Sequence, residues 1–593
     1  MFSGSSGPSP ETRILVKTAL RLAAALGFAA CLAMPAAAQS DVFEAEAPSR
    51  TGSFLAGQEA LGDLNTPAAS RYFAAAVAES WDSPYVLDRA FVAFAANGEI
   101  DRAADTARRL LELEPNHQLA RLVTATEAMK QRRYAAAVRA LDKLGADSFE
   151  GITGAILRAW ALTGDGRVDE AFRSLDAVGQ GGLDEFLVFH RAIMAEVAGR
   201  AADAQAYIEQ AQDADPYTAD VVEAYARILG NAGRFDEALA AVVTFEAQGL
   251  GHPAVAALKE TLAQHRHPGP FAASVQAGAG EMFHSVAIAF AREGTTDVAL
   301  VLERLAQFLD PANDTVPLVI GQLYDGAGQH ELANTVYDAV PASSPLKPMA
   351  TVRVADNLDA LGDRQQAIRR LGNIVTTTPD DLEAISVLGD LQRADKQFLA
   401  AADSYTKALA VTGGKAPGDW RFYYVRGIAY ERADRFPLAE ADFLRALELN
   451  PGQPQVLNYL GYSWVDKGMN LERALGMIQQ AVAAAPNDGF IIDSLGWAYY
   501  RLGRFDEAVE KLEQAVNIRP NDAEINDHLG DAYWRVGRTD EARFQWTIAS
   551  SVDTEGNVRA RAAPKLAGGL DAAPPSEDSA PVAPPPGDQA AVN

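Results

Sequence analysis

The chain reads as an all-α solenoid of helix-turn-helix repeats, and three observations predict this. Residues 489–522 and 523–556 are near-copies: Gly496 and Gly530, Tyr499 and Tyr533, and Ala508 and Ala542 each stand thirty-four residues apart. Within one copy, apolar residues over 491–502 recur at helical spacing and Gly503 supplies the left-handed stop. A second helix then runs from Phe505 to about Ile518, until Pro520 forbids continuation. Small residues at Gly496, Ala508 and Ala515 let two helix axes approach, while Tyr499 and Leu512 fill the remaining space. One such hairpin cannot bury its own apolar face, so neighbours must stack.

The same unit can be followed from the start of the chain. Leu55-Ala56-Gly57 with Ala69, Phe73 and Ala76 opens the array. Gly98 with Ala103 and Pro115, Gly199 with Ala204 and Pro216, and Gly233 with Ala238 keep the offsets of turn, alanine and proline. Gly166 with Ala171 and the stretch 134–141 are weaker units. Residues 251–280 escape the register. They carry His252-Pro253, the run from His265 to Pro270, and Gly278-Ala279-Gly280, and read as a break between two sub-arrays, 54–250 and 281–556. In the second sub-array Pro311, Pro345 and Pro379 fall thirty-four apart, and Leu388-Gly389 with Ala401, Tyr405 and Ala408 precedes a Gly-rich insert at 412–415. Gly427 with Ala439, Phe443 and Pro451 follows. Leu460-Gly461 with Trp464, Ala474 and Pro486 comes next, with one extra residue in its turn around Asn470. About fourteen candidate units result.

The period and the order L-G-x2-Y, A-x3-large, Pro identify these units as resembling the tetratricopeptide repeat (TPR) family. The resemblance implies a right-handed superhelix whose first helices line a partner-binding surface. Residues 557–566 are expected to form a polar capping helix. Residues 567–593, rich in Pro, Ala and Asp, cannot bury a core and are expected to be disordered.

Length and charge bound the function. At 593 residues the chain exceeds one compact core. A net charge of −27 argues against nucleic acid as a partner, which needs a basic patch, and against adhesion to anionic lipid. Residues 1–38 read as a secretory signal peptide. Arg13, Lys17 and Arg21 precede an apolar run, and Ala36-Ala37-Ala38 ends it with small residues. Initiation downstream of Met1 fits the long stretch before Arg13. Residues 39–53 then form an N-terminal linker. Losing one acid and three bases with the leader would take the chain from −27 to −29. The single cysteine, Cys31, is an apolar leader residue, or else the lipidated residue of a lipobox, Phe28-Ala29-Ala30-Cys31, with Phe where Leu is usual. A membrane association is expected only in the second case. The chain is therefore expected in the periplasm, with an outer-membrane lipoprotein as the alternative.

Chemistry is not legible. No G-x-S-x-G, H-E-x-x-H or P-loop occurs, and the three histidines between His252 and His267 lack the further ligands a metal would need. The repeats use nearly every residue from Phe54 to Ser551. No enzyme, cofactor or metal is expected.

In the TPR family the second, fifth, ninth, twelfth and thirteenth residues of the first helix face the partner. Carried over, these include Asn458, Tyr462 and Asp466; Asp493, Trp497, Tyr500 and Arg501; and Glu524, Asp527, Asp531, Trp534 and Arg535. Aromatic rings and arginines are frequent interface anchors, although the same rings also suit packing between repeats or under a cap. A carboxylate clamp would put Lys and Asn at the fifth and ninth positions. Here those pairs are Asn458 and Tyr462, Asp493 and Trp497, and Asp527 and Asp531, and the acids would repel a chain terminus.

The block from Asn458 to Trp534 resembles exported bacterial TPR proteins. They include an outer-membrane lipoprotein adaptor that brings cell-wall (peptidoglycan) hydrolases to a periplasmic carboxy-terminal processing protease. The resemblance implies a non-catalytic envelope scaffold with protein partners. A structural subunit of an envelope assembly, such as polysaccharide export, is the alternative.

Overall fold

A computed structural model of the chain describes residues 49–144, 149–178 and 183–570. The leader with Cys31, most of the 39–53 linker and nearly all of the 567–593 tail lie outside the described residues. Among the described residues there are thirty α-helices and no strand. They pair into fourteen hairpins, with Pro253–Ala263 and Asn557–Gly568 standing single. In each hairpin a residue with positive φ follows the first helix, and in all but the one at Gly468 the second helix starts two residues later. Gly98, Gly166, Gly503 and Gly537 take this place, and Lys396 and Asp434 take it without being glycine. The turn at Gly468 carries the expected extra residue, with Asn470 itself left-handed before Leu471–Ala484.

The small-against-large pattern becomes helix packing inside each hairpin. A Cβ at Gly496 would stand 2.6 Å from Leu512 Cγ, and one at Gly530 would stand 2.5 Å from Trp546 Cδ1. Glycine is therefore required by its neighbour on the second helix, independently of the turn. Ala508, Ala515, Ala542 and Ala549 are fully buried in the same seams.

The stretch 251–280, expected as a break, does not separate two bodies. Pro253–Ala263 packs beside Phe235–Ala247, and the Gly278-Ala279-Gly280 run lies within Val275–Arg292. That helix and Thr296–Leu309 pack onto the first helices of the early repeats, Pro84–Ala96, Gln118–Lys130, Phe149–Gly164 and Asp184–Val197. Gly278 sits so close to Trp160 that a Cβ would stand 2.0 Å from Cη2. Gln276 Nε2 donates to Met129 O at 2.9 Å, Lys130 Nζ to Leu309 O at 3.2 Å, and Arg304 Nε to Ala96 O at 3.3 Å. Farther along, Thr66 Oγ1 and Tyr324 OH bond at 2.8 Å, and Gln329 Nε2 donates to Asp63 O at 3.0 Å. One apolar cluster accordingly runs from Leu61 to Val354. Of the glycines that read as linker, Gly278 is where a helix backbone meets a ring, and Gly280 where it meets the Ala306 carbonyl.

A polar node is enclosed in this packing. His284 Nδ1 lies 3.0 Å from both carboxylate oxygens of Glu303, and Ser285 Oγ donates to Glu281 at 3.0 Å. Burial opposes charge at His284, but Glu303, Glu281 and Asp220 together raise it to about 9. Burial, then Asp220, pushes Glu281 up to about 7.

Candidate functional site

The turn register identifies equivalent positions along the whole chain. The residue six before the positive-φ residue, the ninth of the first helix at Pro454–Asp466, Gly489–Arg501 and Ala523–Arg535, marks one such position. In three of the early repeats this position is covered: Thr126, Trp160 and Ile193 are fully buried, beneath or beside Val275–Arg292 and Thr296–Leu309, while Gln58, Val92 and Arg227 are half-buried. From residue 315 onward it opens. Gln322, Asp356 and Asp390 are exposed, and Tyr462 and Trp497 are half-buried. Ile428 is buried in the apolar cluster of the later repeats, and Asp531 is buried at the end of the array. The first-helix row is thus open or half-open at Gln322, Asp356, Asp390, Tyr462 and Trp497, and closed at Ile428 and Asp531.

Its upper part is acidic. The surrounding protein and the carboxylates of Glu383, Asp325 and Asp359 push Asp356 up to about 6, against Arg353 at 3.8 Å. Asp390 accepts from Tyr405 OH at 2.7 Å and pairs with Arg393 at 3.4 Å. Neither Asp356 nor Asp390 was singled out from sequence. The turn register would have found them once its positions were counted through the weaker repeats.

Its lower part holds the residues the sequence did single out, and most of them tie one repeat to the next. Arg501 Nη1 donates to Asp466 at 3.2 Å, and Arg535 Nε donates to Tyr500 OH at 3.3 Å. Asp493, only 8% exposed, holds His528 Nδ1 at 3.0 and 3.1 Å. Asp527 and Asp531 are buried at 2% and 6% exposure, and Lys565 Nζ of Asn557–Gly568 reaches both at 2.7 to 2.9 Å. Asp531 also accepts from Trp546 Nε1 at 2.9 Å. Arg561 pairs with Glu524. Trp534 leans on Trp546 at 5.6 Å between ring centres, and Gly569 lies against it.

As partner-facing residues, Asp493, Asp527 and Asp531 are corrected, while Trp534 stays half-buried against Trp546 and Gly569. The capping helix and the neighbouring repeat take the surface the three acids were expected to show. Tyr500, Arg501 and Arg535 keep exposed surface but bond across repeats. Asn458, Tyr462 and Trp497 are half-buried on the row, and Asn458 Oδ1 has no hydrogen-bond partner. Trp497 is the centre of a stack, with Tyr500 at 4.7 Å on one face and His528 at 4.1 Å on the other.

The stack is electrostatically set. Burial disfavours the His528 cation, but Asp493, followed by Glu524 and Asp527, raises it to about 9. A pKa raised above the unfolded value of about 6.5 stabilises fully below that pH and less as pH rises through 9. His284 has the same sign. Stability is therefore expected to fall between pH 6.5 and 9.5, by on the order of 2 kcal/mol per histidine. Hydrogen exchange of Ala523–Arg535 across that range checks it. Asp493→Asn is expected to remove the His528 share of the slope, and an unchanged slope would contradict the pairing.

Among the described residues no cluster of three or more His, Cys, Asp or Glu is placed to hold a metal ion, and no helix is long and apolar enough to cross a membrane.

Comparison with known proteins agrees with the hairpin register. A family model described as TPR repeat matches residues 496–537, and one described as tetratricopeptide repeat matches 89–151, 386–454 and 424–489. TPR repeat-containing protein PA4667 of Pseudomonas aeruginosa is 27% identical over 162 residues, 27% of this chain and 26% of that protein. Tetratricopeptide repeat protein 13 of Homo sapiens is 25% identical over 142 residues, 24% of this chain and 16% of that protein. The matches thus span about a quarter or less of those relatives. Among solved structures, yeast Tom70 aligns over 86% of this chain and 94% of its own at 14% identity, TM-score 0.34. The Cut9-Hcn1 hetero-tetramer of APC/C aligns over 88% and 96% at 14% identity, TM-score 0.35. TPR arrays are protein-interaction scaffolds and are generally non-catalytic. With hairpin order, turn register and matched family models in agreement, the chain carries tetratricopeptide repeats.

Proposed function

We propose that the chain is an exported, non-catalytic scaffold of the bacterial envelope that binds protein partners along the first-helix row of residues 347–501. The observation that carries this reading is the change in burial at one repeat position, from Thr126, Trp160 and Ile193, fully covered, to Asp356, Asp390, Tyr462 and Trp497, open or half-open. Export is supported by the basic, apolar and A-x-A pattern of residues 1–38. The resemblance of residues 458–534 to envelope TPR proteins supports partners such as a processing protease and cell-wall hydrolases. The acidic part of the row favours basic partner surfaces through long-range attraction that weakens with salt.

Crosslinking in cells followed by mass spectrometry tests this. Crosslinks from residues 347–501 to periplasmic hydrolases or a protease are expected. Crosslinks confined to residues 54–250, or to cytoplasmic proteins alone, would overturn it. Co-purification with a membrane export complex in place of soluble hydrolases would favour the structural-subunit alternative.

A further inference from the structure

Trp160 and Trp497 occupy the same repeat position, six residues before Gly166 and Gly503. His190 and His528 also match each other, nine residues before Gly199 and Gly537 of the following repeats. Each tryptophan meets the histidine of the next first helix. Trp160 and His190 do so edge-on at 6.2 Å, and Trp497 and His528 stack at 4.1 Å. The chain therefore carries a Trp–His pair at this register twice, edge-on with an unbonded, buried His190 at Trp160 and stacked with a His528 held by Asp493 at Trp497.

Beyond ring geometry and the histidine's partner, the two pairs differ in what lies on them. Trp160 is fully buried because Val275–Arg292 presents Gly278 to its ring, with Ala277 and Ala279 on either side and Gln276 bonded to Met129 O. Trp497 keeps part of its surface open. We propose that the Trp497–His528 pair is a docking site for a partner helix of the same chemistry as Val275–Arg292, one that brings a glycine flanked by alanines against the ring. This rests on the protein-binding reading above and specifies the partner. An indole edge held between Tyr500 and His528 is a rigid, flat-sided anchor. A helix whose contact turn lacks side chains can bring its backbone onto such an edge and exclude water from it. A leucine at the contact point would hold the helix axis off and leave the ring wet. The covered pair shows that a tryptophan edge at this repeat position, that of Trp160, accepts a helix of that composition.

The probe is a fluorescent synthetic peptide with the sequence of residues 275–292, titrated against the full chain by anisotropy. The same peptide carrying Gly278→Leu is expected to bind at least tenfold more weakly. Trp497→Ala in the full chain is expected to weaken the parent peptide at least tenfold, and Trp497→Phe to keep part of the affinity, with helical content unchanged in both. Equal binding of the two peptides, undiminished binding to Trp497→Ala, or no binding of the parent peptide would each overturn the proposal. Envelope crosslinks at residues 347–501 that persist in Trp497→Ala would leave the scaffold reading in place and remove this site.

Discussion

Gly278→Leu is expected to open the packing of the early repeats and to destabilise that half of the chain by about 3 kcal/mol. The ring of Trp160 already stands where even a Cβ would be, 2.0 Å from Cη2 and 2.5 Å from Cζ2 and Cζ3. Trp160 cannot turn aside, because it is fully buried and meets His190 edge-on. Val275–Arg292 must move instead, and with it go the bonds from Gln276 to Met129 and from Lys130 to Leu309. Gly278→Ala is the finer test. Alanine gains about 1 kcal/mol of helix propensity over glycine, so a net loss of stability would show that the close approach outweighs it. Gly476→Ala, in the middle of Leu471–Ala484 with nothing within 4 Å of the new Cβ, is the control and is expected to be neutral or stabilising. Denaturant unfolding read with amide protection of residues 84–130 measures both. Equal effects at positions 278 and 476 would contradict the packing.

Lys565→Met is expected to release the capping helix Asn557–Gly568. The amine is the cation between two buried carboxylates, and removing one partner of a buried ionic cluster costs about 3–5 kcal/mol. Burial, then the facing Asp527 carboxylate, already pushes Asp531 up to about 6 with Lys565 in place. Without the amine, one of the two must take up a proton or reach water. The helix has little of its own to resist this, since Pro564 interrupts it. Limited proteolysis is expected to cut the variant near residue 556 where the parent chain resists. Adding Asp527→Asn and Asp531→Asn to Lys565→Met removes the like-charge repulsion and is expected to restore part of the resistance. A variant as resistant as the parent would show that the cluster does not hold the cap.

What was legible in the sequence is what repeats. Gly496, Tyr499, Ala508 and Pro520 carry local information, helix stop and seam, and the hairpins lie where that information puts them. The packing of Val275–Arg292 on Phe149–Gly164 was not legible, because it joins residues more than a hundred apart and its signature is glycine. Gly278-Ala279-Gly280 is equally the composition of a loose linker, and only the position of Trp160 distinguishes the two. The burial of Asp527 and Asp531 was not legible for a related reason. Periodicity says which face of a helix Asp527 and Asp531 occupy, but it does not say that Lys565, thirty-four residues after Asp531, returns to that face. Trp497 and Tyr462 differ from them only in that the described chain leaves part of each open.

The chain covers its own first-helix row at Thr126, Trp160 and Ile193 and leaves it open or half-open at Asp356, Asp390, Tyr462 and Trp497. The direct measurement is hydroxyl-radical footprinting of the full chain, comparing the oxidation rates of Trp160 and Trp497, which hold the same repeat position. Trp160 is expected to be protected to the level of the buried Trp464, and Trp497 to react several-fold faster. Equal rates at Trp160 and Trp497 would contradict it.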